Sequence, residues 1–354
     1  MNVLITDGES DHALNILHCF RKRRDLKIFI LSNKRHPIAK FSRHYNKFQF
    51  HSCASDSVFV KYIESYVLEN NIDMLFPVDE EGIQLIALHK IRFEKSCNIA
   101  LIPEYEISLK VSDKWSFYNT LKCTSVKMPD TFLIDDVNNK SFPLILKPRK
   151  GKSGSGIHLI NNTKQLNSLN IIASTYIAQS YINGYDIDCS FIAKKGNIIA
   201  IIVQKPLKKN NDLDFGPSKN IEILHNKKIK ELIKTVVKEL AWDGVGHADL
   251  RYCSDTDTFN LIEINPRYWS SILASLAAGV NFPLLAIEHK KDILITSEKY
   301  RKLNYLSIND EIKRLITNKK KDNPTDFSTL YHFLGDPFPY LVYKFNSFRV
   351  RYFS

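Results

Sequence analysis

The chain has no CxxC pair. Its six cysteines, Cys19, Cys53, Cys97, Cys123, Cys189 and Cys253, are scattered over 354 residues. Without paired or histidine-flanked spacing they spell neither a zinc motif nor a disulfide framework, so a reducing cytoplasm is the expected setting. No uninterrupted apolar run nears the ~18 residues of a membrane span. The opening MNVLITDGES lacks the charged-then-apolar order of a signal peptide. The expectation is a fold beginning at residue 1 in a cytoplasmic protein, peripheral at the inner membrane face at most. Glycine (12) and proline (13) are too few for a collagenous or low-complexity chain. GxGxxG is also missing, which disfavours dinucleotide binding of the Rossmann kind.

What is present is an ordinary globular composition, 44% hydrophobic and 25% charged, with an unusual balance: 50 Lys and Arg against 38 Asp and Glu give +12. That excess predicts an anionic partner without naming it. At ~150 residues per domain the length allows about two domains.

Residues 1–7 read as a buried strand, followed by a helical repeat (Ala13, Ile16, Leu17, Phe20) and a second apolar strand over 27–31. A helix over 58–70, a strand over 73–78, a helix over 81–89 and a strand over 99–102 continue the alternation. This predicts a parallel sheet with helices on both faces. Beyond about residue 110 hairpins take over. Strands over 142–147 and 157–160 flank a glycine-rich turn, β runs cover 176–182, 186–193 and 198–204, and a helix over 227–240 precedes a last hairpin, 246–253 with 259–265.

The loop Lys150-Gly151-Lys152-Ser153-Gly154-Ser155-Gly156 offers backbone N–H groups that can approach phosphate oxygens closely. It runs from strand to strand, so it is no Walker loop, and the plain alternative is a mobile hairpin tip. Lys147, ending the apolar strand before it, needs a local anion. In the last hairpin, period-2 alternation places Glu263 and Asn265 on one face and Ile262 and Ile264 on the other; His247, Asp249 and Arg251 share a face of the partner strand. A turn centred on Thr256 sets Asp249 against Glu263. Two carboxylates directly across an antiparallel pair stand ~5 Å apart at Cβ and call for a divalent cation, unless the face is simply solvated. His247 is read either as a group that orients a ligand or relays a proton, or as a satisfied structural histidine.

The series Ser112-Asp113-Lys114, Leu-Ile-Leu-Lys147-Pro with its glycine-rich loop, Gln179-Ser180-Tyr181-Ile182-Asn-Gly-Tyr-Asp186, Gly-His-Ala-Asp249-Leu-Arg and Leu-Ile-Glu263-Ile-Asn265-Pro-Arg267 resembles the ATP-grasp superfamily. The likeness is to its carboxylate–amine ligase and carbamoyl-phosphate-synthase-like branches, over about residues 1–290. It implies a pre-ATP-grasp α/β domain of parallel sheet (1–110), then the α+β ATP-grasp fold, with a small subdomain holding the glycine-rich loop (111–182) and a large one holding the metal site (183–290). It further implies that Lys114 and Lys147 bind ATP phosphates, with Gly151, Ser153, Gly154, Ser155 and Gly156 folding over them. Gln179, Ser180, Tyr181 and Ile182 would form the adenine hinge, Tyr181 and Ile182 through backbone groups, and Asp186 would hold the ribose. Asp249, Glu263 and Asn265 would ligate Mg2+, or Mn2+ in its place, as one or two ions. Arg267 and Lys147 would be catalytic. Gln179 stands where the pattern commonly has an acid, Asp186 where it has Glu, and Gly216-Pro217-Ser218 matches a glycine-glycine-x-serine loop only loosely. Lys205 is read as a replacement for a basic residue that many relatives carry on this strand.

The implied reaction is ATP-dependent activation of a carboxylate to an acyl-phosphate and capture by an amine. The alternatives are a bicarbonate-using carboxylase or carbamoyl-phosphate-type enzyme, and a non-catalytic ATP-binding protein. Small-molecule or polymer-linked acids and amines are the expected substrates, with specificity set near residues 7–10, 79–82 and 208–218; nucleic acid is disfavoured and a homodimer is compatible. Residues 290–354 hold 13 Lys and Arg against seven acids, half of the chain's excess. This basic aromatic extension (291–354) is expected to pack its aromatics on the core. An anionic membrane surface or acidic polymer is its second reading.

Overall fold

A computed structural model of the chain describes residues 1–139, 142–151, 154–207, 218, 220–288, 299–317 and 326–353. The apolar runs of the first hundred residues become β1 (Asn2–Ile5), β2 (Lys27–Ser32), β3 (Lys47–Phe50), β4 (Met74–Phe76) and β5 (Asn98–Ile99). They form one parallel sheet in the order β3-β2-β1-β4-β5. Helices Ala13–Phe20, Asp56–Glu69 and Glu80–Leu88 connect them, as the alternation predicts. β3 was not foreseen. Its Lys-Phe-Gln-Phe sequence is only partly buried at the sheet edge, where a strand needs no continuous apolar run.

Two arrays follow, one antiparallel and one antiparallel except at its last pair. β6 (Thr131–Leu133), β7 (Leu144–Pro148), β8 (His158–Ile160) and β9 (Tyr176–Ser180) make a four-stranded sheet in the order β6-β9-β7-β8. β10 (Gly184–Lys194), β11 (Asn197–Pro206), β12 (Ile221–Leu224), β13 (Gly244–Cys253), β14 (Thr258–Asn265), β15 (Leu303–Leu306) and β16 (Phe327–Ser328) make a seven-stranded one, in the order β14-β13-β10-β11-β12-β15-β16. Helix Lys227–Glu239 lays Ile229, Ile233, Val236 and Val237 against this large sheet, capped by Asn226, whose side chain accepts from the Ile229 N–H.

The N-terminal sheet and the large sheet share an apolar core. Val3, Ile5, Ile30 and Phe76 pack in one cluster with Ile192, Ile202, Tyr268, Trp269 and Phe282. Backbone bonds cross the same seam, Leu101 N–H to the Ala286 carbonyl (2.8 Å) and Tyr268 N–H to that of Val78 (3.3 Å). The C-terminal region is likewise less detached than its composition suggests: β15 pairs antiparallel with β12 and parallel with β16. Helix Pro337–Phe353 turns Tyr340 toward His18 (ring centroids 6.2 Å), while Phe338, Leu341, Tyr343 and Phe345 are exposed. The expectation that its aromatics would pack inward therefore holds for only part of them. No helix among the described residues is long and apolar enough to cross a membrane.

Candidate active site

The polar face of β13 and β14 is the centre. Along β13, Ala248 and Leu250 are buried and His247, Asp249 and Arg251 turn the other way. Asp249 faces Glu263 and His247 faces Asn265, the register expected from the pattern. The route to it differs. On the turn side Cys253 faces Thr258, so the hairpin is centred between Asp255 and Thr256, and a bulge between the pairs Leu250/Leu261 and Asp249/Glu263 inserts Ile262 as the extra residue. Leu261 and Ile264 are thus both in the core, while Ile262, expected beside Ile264, is only partly buried. Strict alternation would have put Leu261 on the same side as Glu263.

Two lysines converge on this face. Lys114 opens helix Lys114–Leu121, whose N-terminus Asp113 caps by accepting from the N–H groups of Trp115 and Ser116. Its Nζ donates to the Gly151 carbonyl (3.1 Å) and lies 3.4 Å from Glu263 Oε2. Lys147, at the end of β7 and 2% exposed, places Nζ 4.0 Å from the same oxygen. Burial pushes the Lys147 ammonium down to about 8, against the pull of Glu263. Burial alone would raise Glu263, but Lys114 and Lys147 bring its carboxyl below the usual range. Asp249 moves the other way: burial first, then Glu263 and Asp188, lift it well above that range, although a third of its side chain is open to the cleft. The two facing carboxyls are thus driven in opposite directions.

Two carboxylates held face to face mark the place a hard divalent cation would take. Asn265 completes the donor set: its Nδ2 donates to Asp249 Oδ2 (3.3 Å) and its Oδ1 accepts from Arg267 (3.3 Å), so serving a cation requires turning the amide over. These residues fit Mg2+.

The next strand adds groups that the sequence reading missed. Asp188 on β10 lies directly opposite Asp249, and Ser190 opposite His247. Ligating atoms of Asp188, His247 and Asp249 lie within 4.8 Å of one another. Ser190 Oγ meets His247 Nδ1 at 2.8 Å, His247 Nε2 is 3.4 Å from Asp249, and the imidazole stacks on Trp269, burial holding it neutral down to about pH 3. His247 is thus a satisfied histidine that positions Asp249. Gln204 bridges Asp188 and Ser271. Asp186, Asp188 and Ser190 alternate along the chain, but nothing local says which strand they will face.

The nucleotide end is less open than expected. Gln179 is buried and donates to Thr131 Oγ1 (3.0 Å). The Ser180 N–H donates to Asp130 O and that of Tyr181 to Pro143 O, while the Ile182 carbonyl accepts from Arg251 Nε (2.6 Å). Arg251 also binds Asp186 Oδ1 (2.6 Å) and the Gly184 carbonyl (3.0 Å), fastening the hinge to β13. Lys205 lies over the Tyr185 ring, 3.8 Å from its centroid. The glycine-rich loop joins antiparallel β7 and β8. Gly151, Gly154 and Gly156 all have positive φ, and a Cβ on Gly156 would meet Tyr176 Oη at 2.9 Å. Ser155 lies in the same turn; Ser153 and Lys152 lie outside the described residues, as does most of 208–218.

Arg267 links the site to the N-terminal sheet. It donates to the Tyr268 carbonyl (2.8 Å), meets His12 Nε2 at 3.0 Å and stands 3.7 Å from Asp79. Asp7, one of the strand-end residues expected to set specificity, is occupied: its carboxylate accepts from the N–H groups of Val78 and Asp79 (2.6–3.0 Å) and closes on Gly82, where a Cβ would sit 2.6 Å from Oδ2.

Residues 111–271 match the ATP-grasp domain family. An uncharacterized protein of Mycoplasma genitalium is 26% identical over 183 residues, half of this chain and 63% of that protein, less than two thirds of its length. A D-alanine–D-alanine ligase of Petrotoga mobilis is 24% identical over 253 residues, 64% of this chain and 80% of that one. An L-amino acid ligase of Bacillus licheniformis superposes with a TM-score of 0.65 at 16% identity, over 81% of this chain and 73% of that one. The pre-ATP-grasp sheet and the ATP-grasp fold expected from the motifs are thus both present.

Proposed function

Residues 111–271 being an ATP-grasp domain, we propose that the protein is an ATP-dependent ligase that joins a carboxylate to an amine through an acyl-phosphate. The observation that carries this reading is the convergence of Lys114 and Lys147 on Glu263, opposite Asp249. A mere solvated acidic face would not recruit two buried lysines. The Petrotoga and Bacillus ligases that it resembles supply the reaction class.

A substrate carboxylate oxygen attacks the γ-phosphorus of ATP, the bond to the β–γ bridging oxygen breaks, and ADP leaves. The amine nitrogen then attacks the acyl carbon, loses a proton and expels phosphate. Bound Mg2+ supplies charge neutralisation on the phosphate oxygens. Asp249, Glu263 and Asn265 would hold it, and His247 keeps Asp249 oriented. Lys114 and Lys147 steady the phosphates, and Gly151, Gly154, Ser155 and Gly156, with Ser153, close over them to exclude water. Gln179, Ser180, Tyr181 and Ile182 shape the adenine slot, and Asp186, presented by Arg251, takes the ribose. Arg267, anchored by Tyr268, stabilises the oxyanion of the second step. No side-chain nucleophile is required.

The test is ADP release in the presence of Mg2+ across panels of amino acids, sugar acids and peptides, with the product mass measured. An amide product whose mass is the sum of acid and amine less water supports the reading. ADP release dependent on bicarbonate alone would replace it with carboxylation. Nucleotide binding without turnover on any panel would leave a binding protein.

We also infer a cytoplasmic enzyme whose last helix rests on an anionic membrane surface. Phe338, Leu341, Tyr343 and Phe345 are each more than half exposed, in a region rich in cations. Sedimentation with phosphatidylserine vesicles, lost in Phe338→Glu/Leu341→Glu, supports it; equal partitioning of both proteins removes it.

A further inference from the structure

Far along the chain from the ligase motifs, three histidines meet in the interior. His18, in helix Ala13–Phe20, and His332, in helix Thr329–Gly335, are each 1% exposed, and neither ring has a hydrogen-bond partner at either nitrogen. Their centroids lie 5.1 Å apart, and the His44 ring lies 5.5 Å from that of His18. His44 Nε2 is also buried without a hydrogen bond, 4.0 Å from Asp336 Oδ2. Folded chains rarely leave so many buried polar atoms unsatisfied at one spot.

The carboxylate beside them is held in place. Asp336 is 2% exposed, its Oδ2 accepting from Ser42 Oγ (2.5 Å) and its Oδ1 from the Arg43 N–H (3.4 Å). Ligating atoms of His18, His44 and Asp336 all lie within 4.8 Å of one another. Arg21, whose guanidinium covers the Tyr331 ring at 4.6 Å, and Arg43 are neighbouring cations.

We propose that His18, His44 and Asp336 bind a Zn2+ ion, with His332 completing a tetrahedral set. Imidazole nitrogens with one carboxylate suit Zn2+ and not Mg2+ or Ca2+, which take oxygen. Tetrahedral Zn2+ sites use ligands at about 2.0–2.2 Å, so the side chains would draw together from their present spacing by small rotations. Burial already holds His18 and His332 neutral, the form a metal needs. Ser42 and Arg43 are the outer partners that orient the carboxylate. His44, the least buried of the set, gives the ion its way in. Such a site is invisible in cysteine or histidine spacing, because its ligands come from three distant segments. Its role is to pin helix Thr329–Gly335 and Asp336 to the N-terminal domain.

Full-length protein, stripped with chelator and dialysed against Zn2+, should retain about one ion per chain by elemental analysis. Loaded with Co2+ instead, it should show the intense visible bands of a tetrahedral site, bleached by added Zn2+. His44→Gln and Asp336→Asn should each lose the ion, and Glu263→Gln should keep it. The proposal is overturned if the wild type retains no stoichiometric Zn2+, if Co2+ gives only weak octahedral bands, or if both His44→Gln and Asp336→Asn bind as the wild type does. Should a variant fail to fold, the wild-type Co2+ spectrum decides.

Discussion

Asp7 and Asp249 are both aspartates on parallel courses: each is on or just beyond a strand, and each has its carboxyl pushed upward by burial, Asp7 to about 7. Their partners separate them. Asp7 receives backbone N–H groups from Val78 and Asp79 and ties the end of β1 to the end of β4. Asp249 faces Glu263 and Asp188, with two lysines beyond. A buried carboxyl satisfied by main chain is architecture. One opposed by other carboxyls is a place for a cation, and a strand-end address alone distinguishes neither.

The contrast breaks most sharply at Glu263. Glu263→Gln should lower ADP release by at least about 10³-fold with the circular dichroism spectrum unchanged; near wild-type turnover would return the acidic pair to mere surface. Lys147→Met should cost about 10²–10³-fold in kcat, measured by the same coupled assay, because it leaves Lys114 to face Glu263 and the phosphates without its second ammonium. His247→Ala should weaken Mg2+ activation by about 10–100-fold, read as the Mg2+ concentration for half-maximal rate, with a smaller change in the rate at saturation. At Asp7 the effect is on folding alone. Its folded pKa is raised, so its stabilising contribution is complete below about pH 4 and lost as pH rises toward about 7. Thermal melts of the wild type should fall across that window and those of Asp7→Asn should be flatter, with kinetics unchanged; an equal slope in both would dissolve the comparison.

Sequence carried the site further than it carried its surroundings. Period-2 alternation and a short polar turn point to Asp249 opposite Glu263, but the pairing is produced by a turn half a residue away and the bulge at Ile262, neither legible in the sequence, while Lys147 announces itself by ending an apolar strand. The strands' long-range neighbours were not legible. Asp188 and Ser190 gained meaning only when β10 paired with β13, Arg251 only when it reached back to Asp186, and the engaged Tyr181 N–H only when Pro143 came alongside. The parallel sheet was readable from alternating apolar runs, except at β3, whose edge position removes the signal. The composition of the C-terminal region reports charge but not that β15 and β16 extend the seven-stranded sheet.

The bulge at Ile262 is one residue of slack in β14. Phe259, Leu261 and Ile264 are buried while Asn260, Glu263 and Asn265 are only partly so, and that alternation is unbroken once Ile262 is left out of the count. Deleting Ile262 would therefore close the ladder on the same partners, Leu250 with Leu261 and Asp249 with Glu263. The extra residue is thus a position of the strand whose loss leaves both the core and the carboxylate pair in register.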